Sequence, residues 1–154
     1  MQRVGLISDT HGLLRLEALA FLRGSDFIVH AGDIGDAAVL EELRRLAPLT
    51  AVRGNNDKGP WAKSIAEPRS SRSARSRSTC CTTSRNWIFD PVAAGFRVVV
   101  SGHSHHPSVE DRDGVLYVNP GSSGPRRFKL PIAVAELQVA GSSVKARIVE
   151  LATR

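Results

Sequence analysis

Short apolar runs alternate with amphipathic stretches over the first sixty residues, the pattern of βαβ units with parallel strands. Val4 to Ile7 reads as a buried strand. Leu14 to Arg23 reads as a helix, with Leu14, Leu16, Ala18, Leu19, Phe21 and Leu22 at helical spacing and Gly24 ending it. Phe27 to Val29 is a second strand, and Ala37 to Leu46 a second helix with Val39, Leu40, Leu43 and Leu46 on one side. Pro48 stops that helix, and Leu49 to Val52 is a third strand. Farther on the chain turns strand-rich: Arg97 to Val100, Val115 to Val118 after an Asp113-Gly114 turn, then Ile132 to Val139 paired with Val144 to Leu151 across Ala140-Gly141. Between the two halves the pattern collapses. Residues 69 to 87 hold six serines, three threonines and five arginines, with almost no large apolar side chain before Trp87.

A length of 154 residues, 42% of them hydrophobic, suits one α/β domain spanning 1–154. Only a short apolar run precedes Asp9, so neither a signal peptide nor a membrane span fits, and a cytoplasmic protein without membrane contact is expected. Cys80 and Cys81 are adjacent, a spacing that suits neither an ordinary crosslink nor a zinc knuckle. The net charge of +6 invites a nucleic-acid partner. Its distribution argues against one, because Arg69, Arg72, Arg75, Arg77 and Arg85 lie in the collapsed stretch and the rest of the chain is nearly neutral.

The residues with chemical potential cluster just after the strands: Ser8-Asp9-Thr10-His11-Gly12, His30-Ala31-Gly32-Asp33, Gly54-Asn55-Asn56-Asp57 and Gly102-His103-Ser104-His105. Ligands of open α/β sheets gather outside the carboxyl ends of strands, where such loops project. Residues two apart in an extended segment point the same way, so His103 and His105 are expected to face one cavity. The donors are nitrogen and oxygen without thiolate, a set suited to manganese, iron, nickel or zinc rather than calcium. Two ions sharing Asp33 could hold a water between them, deprotonated at neutral pH, for in-line attack on phosphorus. Asn55 has a competing use as a turn cap. His30 reads as structural and His106 as a rim residue.

In this order and spacing, D-x-H, G-D, G-N-x-D and G-H-x-H resemble the calcineurin-like metallophosphoesterases, and within them the small prokaryotic YfcE-type phosphodiesterases. Asn119-Pro120-Gly121-Ser122, followed by Pro125-Arg126, looks like that group's closing loop. The resemblance covers roughly residues 3 to 66 and 88 to 150. It implies a four-layer α-β-β-α sandwich of two facing, largely mixed sheets flanked by helices. It also implies two divalent ions, manganese foremost: Asp9, His11, Asp33 and His105 around one, and Asp33, Asn55 and His103 around the other. Asn56 stands where many members carry a histidine that contacts the phosphate or protonates the leaving group, which makes it the catalytic candidate. Asp57 would support the ligands without binding metal. The activity implied is metal-dependent hydrolysis of a small phosphodiester, or of a phosphomonoester. A vacuolar sorting subunit of the retromer coat resembles the same fold and serves as a protein-binding scaffold with an altered metal site, and that is the alternative.

The family pattern has a further histidine at a strand end between G-N-x-D and G-H-x-H, and this chain has none between Asp57 and Gly102. Its absence falls in the Arg/Ser-rich stretch and would weaken the second metal position. That stretch has three readings: a solvated loop, an RNA-binding segment, or a compensated pair of frame errors beginning near Arg69 and ending near Ile88. Codons can be chosen for Cys80 to Ile88 so that reading from the third base of Cys80 yields Leu-His-Asp-Leu-Ala-Glu-Leu-Asp, with the histidine encoded across Cys81 and Thr82. The frame reading predicts that the coding DNA carries this histidine in an alternative frame; a DNA sequence without it, together with an intact mass matching the chain as written, would refute it.

Overall fold

The computed structural model describes residues 1–65, 79–82 and 97–153. Nine strands are present among them: β1 (Gln2–Ile7), β2 (Phe27–His30), β3 (Leu49–Ala51), β4 (Thr79–Thr82), β5 (Val98–Ser101), β6 (Ser108–Arg112), β7 (Val115–Asn119), β8 (Ala133–Ala140) and β9 (Ser143–Glu150). Helices α1 (Leu16–Leu22) and α2 (Ala37–Leu46) connect the first three strands, and a short 3-10 helix covers Pro60–Ser64. None of these helices is long and apolar enough to cross a membrane.

The strands form two mixed sheets, ordered β3-β2-β1-β8-β9 and β4-β5-β7-β6. Strands β1, β2 and β3 run parallel, as do β4, β5 and β7, while β8, β9 and β6 join antiparallel. Because side chains alternate across a strand, a central strand of a sheet covered on both faces must be apolar at successive positions. In β1, Ile7 packs with Ala18, Leu22, Val39, Leu40 and Leu43 of the helices, while Leu6 packs with Val98, Val100 and Val118 of the second sheet. The core therefore has two compartments, one between helices and first sheet and one between the sheets. Both described α-helices cover the outer face of the first sheet; among the described residues no helix of the expected fourth layer, outside the second sheet, is present.

Most expected elements are present, with shifts at their ends. Helix α1 begins at Leu16 and not Leu14, since Arg15 has extended backbone. The β8–β9 turn is at Gly141-Ser142, with Ala140 paired to Ser143. Strand β6 is an addition: its SVEDR sequence is almost wholly exposed and carries no apolar alternation, yet it pairs with β7 through the Asp113-Gly114 turn, where both residues have positive φ (53° and 81°). Strand β4 lies inside the Arg/Ser-rich stretch and pairs in parallel with β5, Thr82 opposite Ser101. The rest of that stretch, with Trp87 and Phe89, lies outside the described residues.

Glu136 of β8 is 2% exposed and carries a charge. It accepts from Arg3 Nε (2.5 Å), from Arg147 Nη2 (2.7 Å) and Nε (3.1 Å), and from Gln138 Nε2 (3.3 Å). Burial alone would raise its pKa, but the hydrogen bonds and charges of Arg3 and Arg147 outweigh that and lower it below the ordinary 4.5. The stability it contributes is present above that ordinary value and is lost as pH falls through the lowered one. Glu136→Gln should cost about 1 kcal/mol at pH 7, because both arginines are partly solvated, and the gap between variant and wild type in urea melts should close on acidification to pH 3.

Candidate metal centre

The parallel strands of both sheets end on the same side of the molecule, and every motif loop issues from one of those ends. Asp9 and His11 follow β1, Asp33 follows β2, Gly54 to Asp57 follow β3, and His103 and His105 follow β5. The loops after β1 and β2 are laced together by backbone bonds from Asp9 N to Gly32 O (3.0 Å), His11 N to Asp33 O (3.0 Å) and Gly12 N to Ile34 O (2.8 Å).

Asp9, His11 and His105 offer one ligand atom each within 4.8 Å of one another. His11 Nε2 lies 3.3 Å from His105 Nε2, the two rings are stacked, and Asp9 Oδ1 lies 3.5 Å from His105 Nε2 and 4.0 Å from His11 Nε2. Beside them His103 Nδ1 is 3.4 Å from Asp33 Oδ2. The backbone N–H of His103 is shared by both oxygens of Asp9 (3.2 and 3.1 Å), and Ser8 Oγ donates to Asp9 Oδ2 (2.8 Å). Asp9 thus ties the end of the first sheet to the GHxH loop of the second.

The backbone at this site is strained. Among the described residues seven non-glycines have positive φ, and five of them are Asp9 (54°), His11 (46°), Asp33 (53°), His103 (73°) and His105 (59°). Such conformations cost on the order of 1 kcal/mol or more each and concentrate where function requires a side chain to be aimed. They also correct the extended backbone expected for His103 and His105. Strand β5 ends at Ser101, and the two imidazoles turn in left-handed backbone toward different carboxylates. His105 is buried against Asp9, while the His103 side chain is 51% exposed beside Asp33.

Two glycines permit the approach of the loops. A Cβ at Gly102 would stand 2.0 Å from Ser8 Oγ and 3.1 Å from Asp9 Oδ2, and one at Gly54 would stand 2.2 Å from Asp33 N and Oδ1. Asp57 accepts from Gly54 N (2.8 Å) and Gly35 N (2.9 Å), clamping the third loop to the second. Asn56 N donates to Asp33 Oδ1 (3.1 Å), and Asn55 and Asn56 are exposed on that turn. His106 is exposed, and its N–H donates to Ser104 Oγ (3.3 Å).

The closing loop after β7 reaches farther under the site than its motif suggested. Ser122 Oγ donates to Asp9 O (3.0 Å), Ser123 N donates to Ser8 O (3.1 Å), and Asn119 Nδ2 donates to Gly102 O (3.3 Å) and Ser104 Oγ (3.0 Å). Arg127, in the segment that follows, bears electrostatically on both His11 and His105. Sequence reasoning gave neither Ser122 nor Arg127 a role; the Ser-Ser-Gly run after Asn119-Pro120 was the available signal.

The electrostatics suit a cation. Burial, aided by the charge of Asp33, pushes Asp9 up to about 7 against the opposing bonds from Ser8 and His103. Burial, with the positive charge of Arg127, lowers His105 to about 4, and burial likewise lowers His11. Two neutral imidazoles with facing nitrogens and a crowded buried carboxylate form a donor set that a divalent ion would satisfy. His105 Nδ1 is in addition a buried polar atom without a hydrogen-bond partner among the described residues. Asp9, His11 and His105 therefore fit a metal ion.

Residues 2–142 match the calcineurin-like phosphoesterase superfamily domain. The chain belongs to that superfamily. A probable metallophosphoesterase of Methanothermobacter thermautotrophicus is 30% identical over 162 residues, covering 95% of this chain and 91% of its relative. Among solved structures, a novel archaeal phosphodiesterase superposes with a TM-score of 0.75 at 22% identity, covering 96% of this chain and 100% of that one. The phosphoesterase YfcE from E. coli superposes at 0.67 and 22% identity over 98% and 100%. Vps29 of Chaetomium thermophilum superposes at 0.74 and 15% identity over the whole of both chains. The fold expected from the motifs, two mixed sheets with flanking helices, is that of these proteins.

The protonation of Asp9 sets the pH dependence of metal binding. A proton competes for this carboxylate below about pH 7, whereas His105 is already neutral well below that. Affinity for Mn²⁺ should rise about tenfold per pH unit from 5 to 7 and level off above, as one-proton linkage requires; calorimetry in buffers of differing ionisation enthalpy should show release of about one proton at pH 6 and almost none at pH 8.

Proposed function

We propose that the chain is a metal-dependent phosphodiesterase with two divalent ions. The Asp9–His11–His105 cluster, with the Asp33–His103 pair against it at one end of the sheets, carries this reading. Asp9, His11, Asp33 and His105 would hold one ion, and Asp33, Asn55 and His103 the other, with Asp33 shared. Manganese is the ion we favour, with iron, nickel or zinc as alternatives. Ions held there would lower the pKa of water and neutralise the charge that develops on the phosphoryl oxygens. The protein's share is placement: Asp9 and Asp33 bring negative charge together, Ser8 and the His103 N–H fix the Asp9 carboxylate, and Asn56 stands on the exposed turn beside Asp33, where a phosphate oxygen could accept its amide hydrogens.

The preference for a diester over a monoester rests on likeness to the archaeal phosphodiesterase and on the family pattern. The substrate we propose is a small phosphoester, with neither nucleic acid nor membrane as partner, and the setting is the cytoplasm.

A second reading has an observation of its own. Position 82, where the family pattern's further histidine would fall, is a threonine at the carboxyl end of β4, next to the strand that leads into Gly102 and His103. A second metal position short of this ligand would bind weakly, and a weakened centre suits a protein-binding scaffold. Hydrolysis of bis(p-nitrophenyl) phosphate and p-nitrophenyl phosphate separates the readings. The enzyme should turn over the diester faster, only with Mn²⁺ present, and lose activity to a chelator and by at least about 100-fold in His105→Ala. Absence of both turnover and metal uptake by the wild type would favour the scaffold.

A further inference from the structure

His30 is fully buried at the end of β2, three residues before Asp33, and its ring touches both ligand loops. Its Nδ1 lies 3.1 Å from the backbone N of Gly32, and its Nε2 lies 3.0 Å from Thr10 Oγ1. Thr10 Oγ1 in turn lies 2.8 Å from Ile34 O. These three bonds have only one consistent polarity. A backbone N–H can only donate, so Nδ1 must be the unprotonated acceptor, and a neutral ring then carries its proton on Nε2. That proton goes to Thr10 Oγ1, and the threonine hydroxyl is left to donate to Ile34 O, which can only accept. Burial favours the neutral ring by lowering His30 to about 3.

We infer that His30 is a positioning residue of the metal centre, a one-tautomer brace that holds Thr10, between Asp9 and His11, in register with Gly32 and Ile34 on either side of Asp33. The inference rests on the metal-hydrolase reading above. Asp9, His11 and Asp33 all occupy left-handed backbone, so each would relax toward commoner conformations unless their chain neighbours were pinned. Thr10, between Asp9 and His11, and Gly32, just before Asp33, are such neighbours. The brace acts across the junction of the two loops, where the backbone bonds of Asp9, His11 and Gly12 also cross. A histidine meets the requirement because its two ring nitrogens can accept from one loop and donate to the other at once. Asparagine retains an acceptor placed like Nδ1, and glutamine a donor placed like Nε2, but neither spans both.

The test uses the whole chain and Mn²⁺ as probe, read by calorimetry beside the thermal midpoint. His30→Asn and Thr10→Val each remove the bond between ring and hydroxyl, and each should weaken Mn²⁺ binding about tenfold, the lower end of what loss of an outer support costs. Thr10→Val also removes the bond to Ile34 O, so the double variant should be no weaker than Thr10→Val, the ring-to-hydroxyl link being already lost there. His30→Gln, which can keep the donor to Thr10, should recover part of the affinity. In the wild type, ring ¹⁵N shifts should show His30 as the Nε2–H tautomer without metal, a reading that needs no variant to fold. A lowered midpoint with Mn²⁺ affinity within twofold of wild type in both single variants would make His30 a core residue only, and the opposite tautomer would equally overturn the proposal. Failure of the wild type to take up Mn²⁺ would instead strike at the metal reading itself.

Discussion

The metal centre depends on a crowding that the fold imposes and then restrains. Asp9 and Asp33 bring two carboxylates together in a buried place, His11 and His105 face each other through the same kind of nitrogen, and the backbone at all four is left-handed. None of this is favourable for the chain alone: burial penalises the charge, and the dihedrals cost on the order of 1 kcal/mol or more each. The restraint comes from several directions. Backbone bonds stitch the β1 and β2 loops together, Asp57 grips the β3 loop, Asn119 holds the carbonyl of Gly102, and Ser122 and Ser123 close on the backbone of Asp9 and Ser8. An arrangement that a cation would relieve, yet that persists through such bracing, is suited to take up metal.

Both sheets are needed for this. Each contributes three parallel strands whose ends form one rim, and the packing of Leu6, Val29 and Ala135 on Val98, Val100 and Val118 sets the distance between the half-sites. The bond from His103 N to the Asp9 carboxylate works only at that spacing. A core substitution between the sheets should therefore shift the spacing of the candidate ligands as well as lower stability.

Much of this was legible in the sequence, and for physical reasons. Buried parallel strands must be continuously apolar, so Val4–Ile7, Phe27–Val29 and Val98–Val100 stand out, and the amphipathic face of α2 matches its helix end to end. The ligand candidates were legible because metal chemistry restricts residue type and strand-end loops restrict place. Strand β6 was not, because an exposed edge strand with four polar residues in five is held by its ladder to β7 and by a turn. The left-handed backbone of Asp9, His11 and His105 was not legible either, since nothing in a D-x-H or G-H-x-H pattern tells an extended loop from a coiled one. The bracing roles of His30 and Ser122 needed the loops to be seen in contact, because Thr10 lies 20 positions from His30 and Asp9 lies 113 from Ser122.

Strand β4 has a consequence beyond the metal question. Among the described residues it is an edge strand, joined to β5 by a parallel ladder from Thr79 to Thr82. Such a ladder recognises an extended main chain and is indifferent to most side chains, which is why exposed sheet edges recruit foreign segments. Were the frame of this stretch shifted, as one reading of the sequence has it, backbone pairing of this kind would still let the chain complete the sheet.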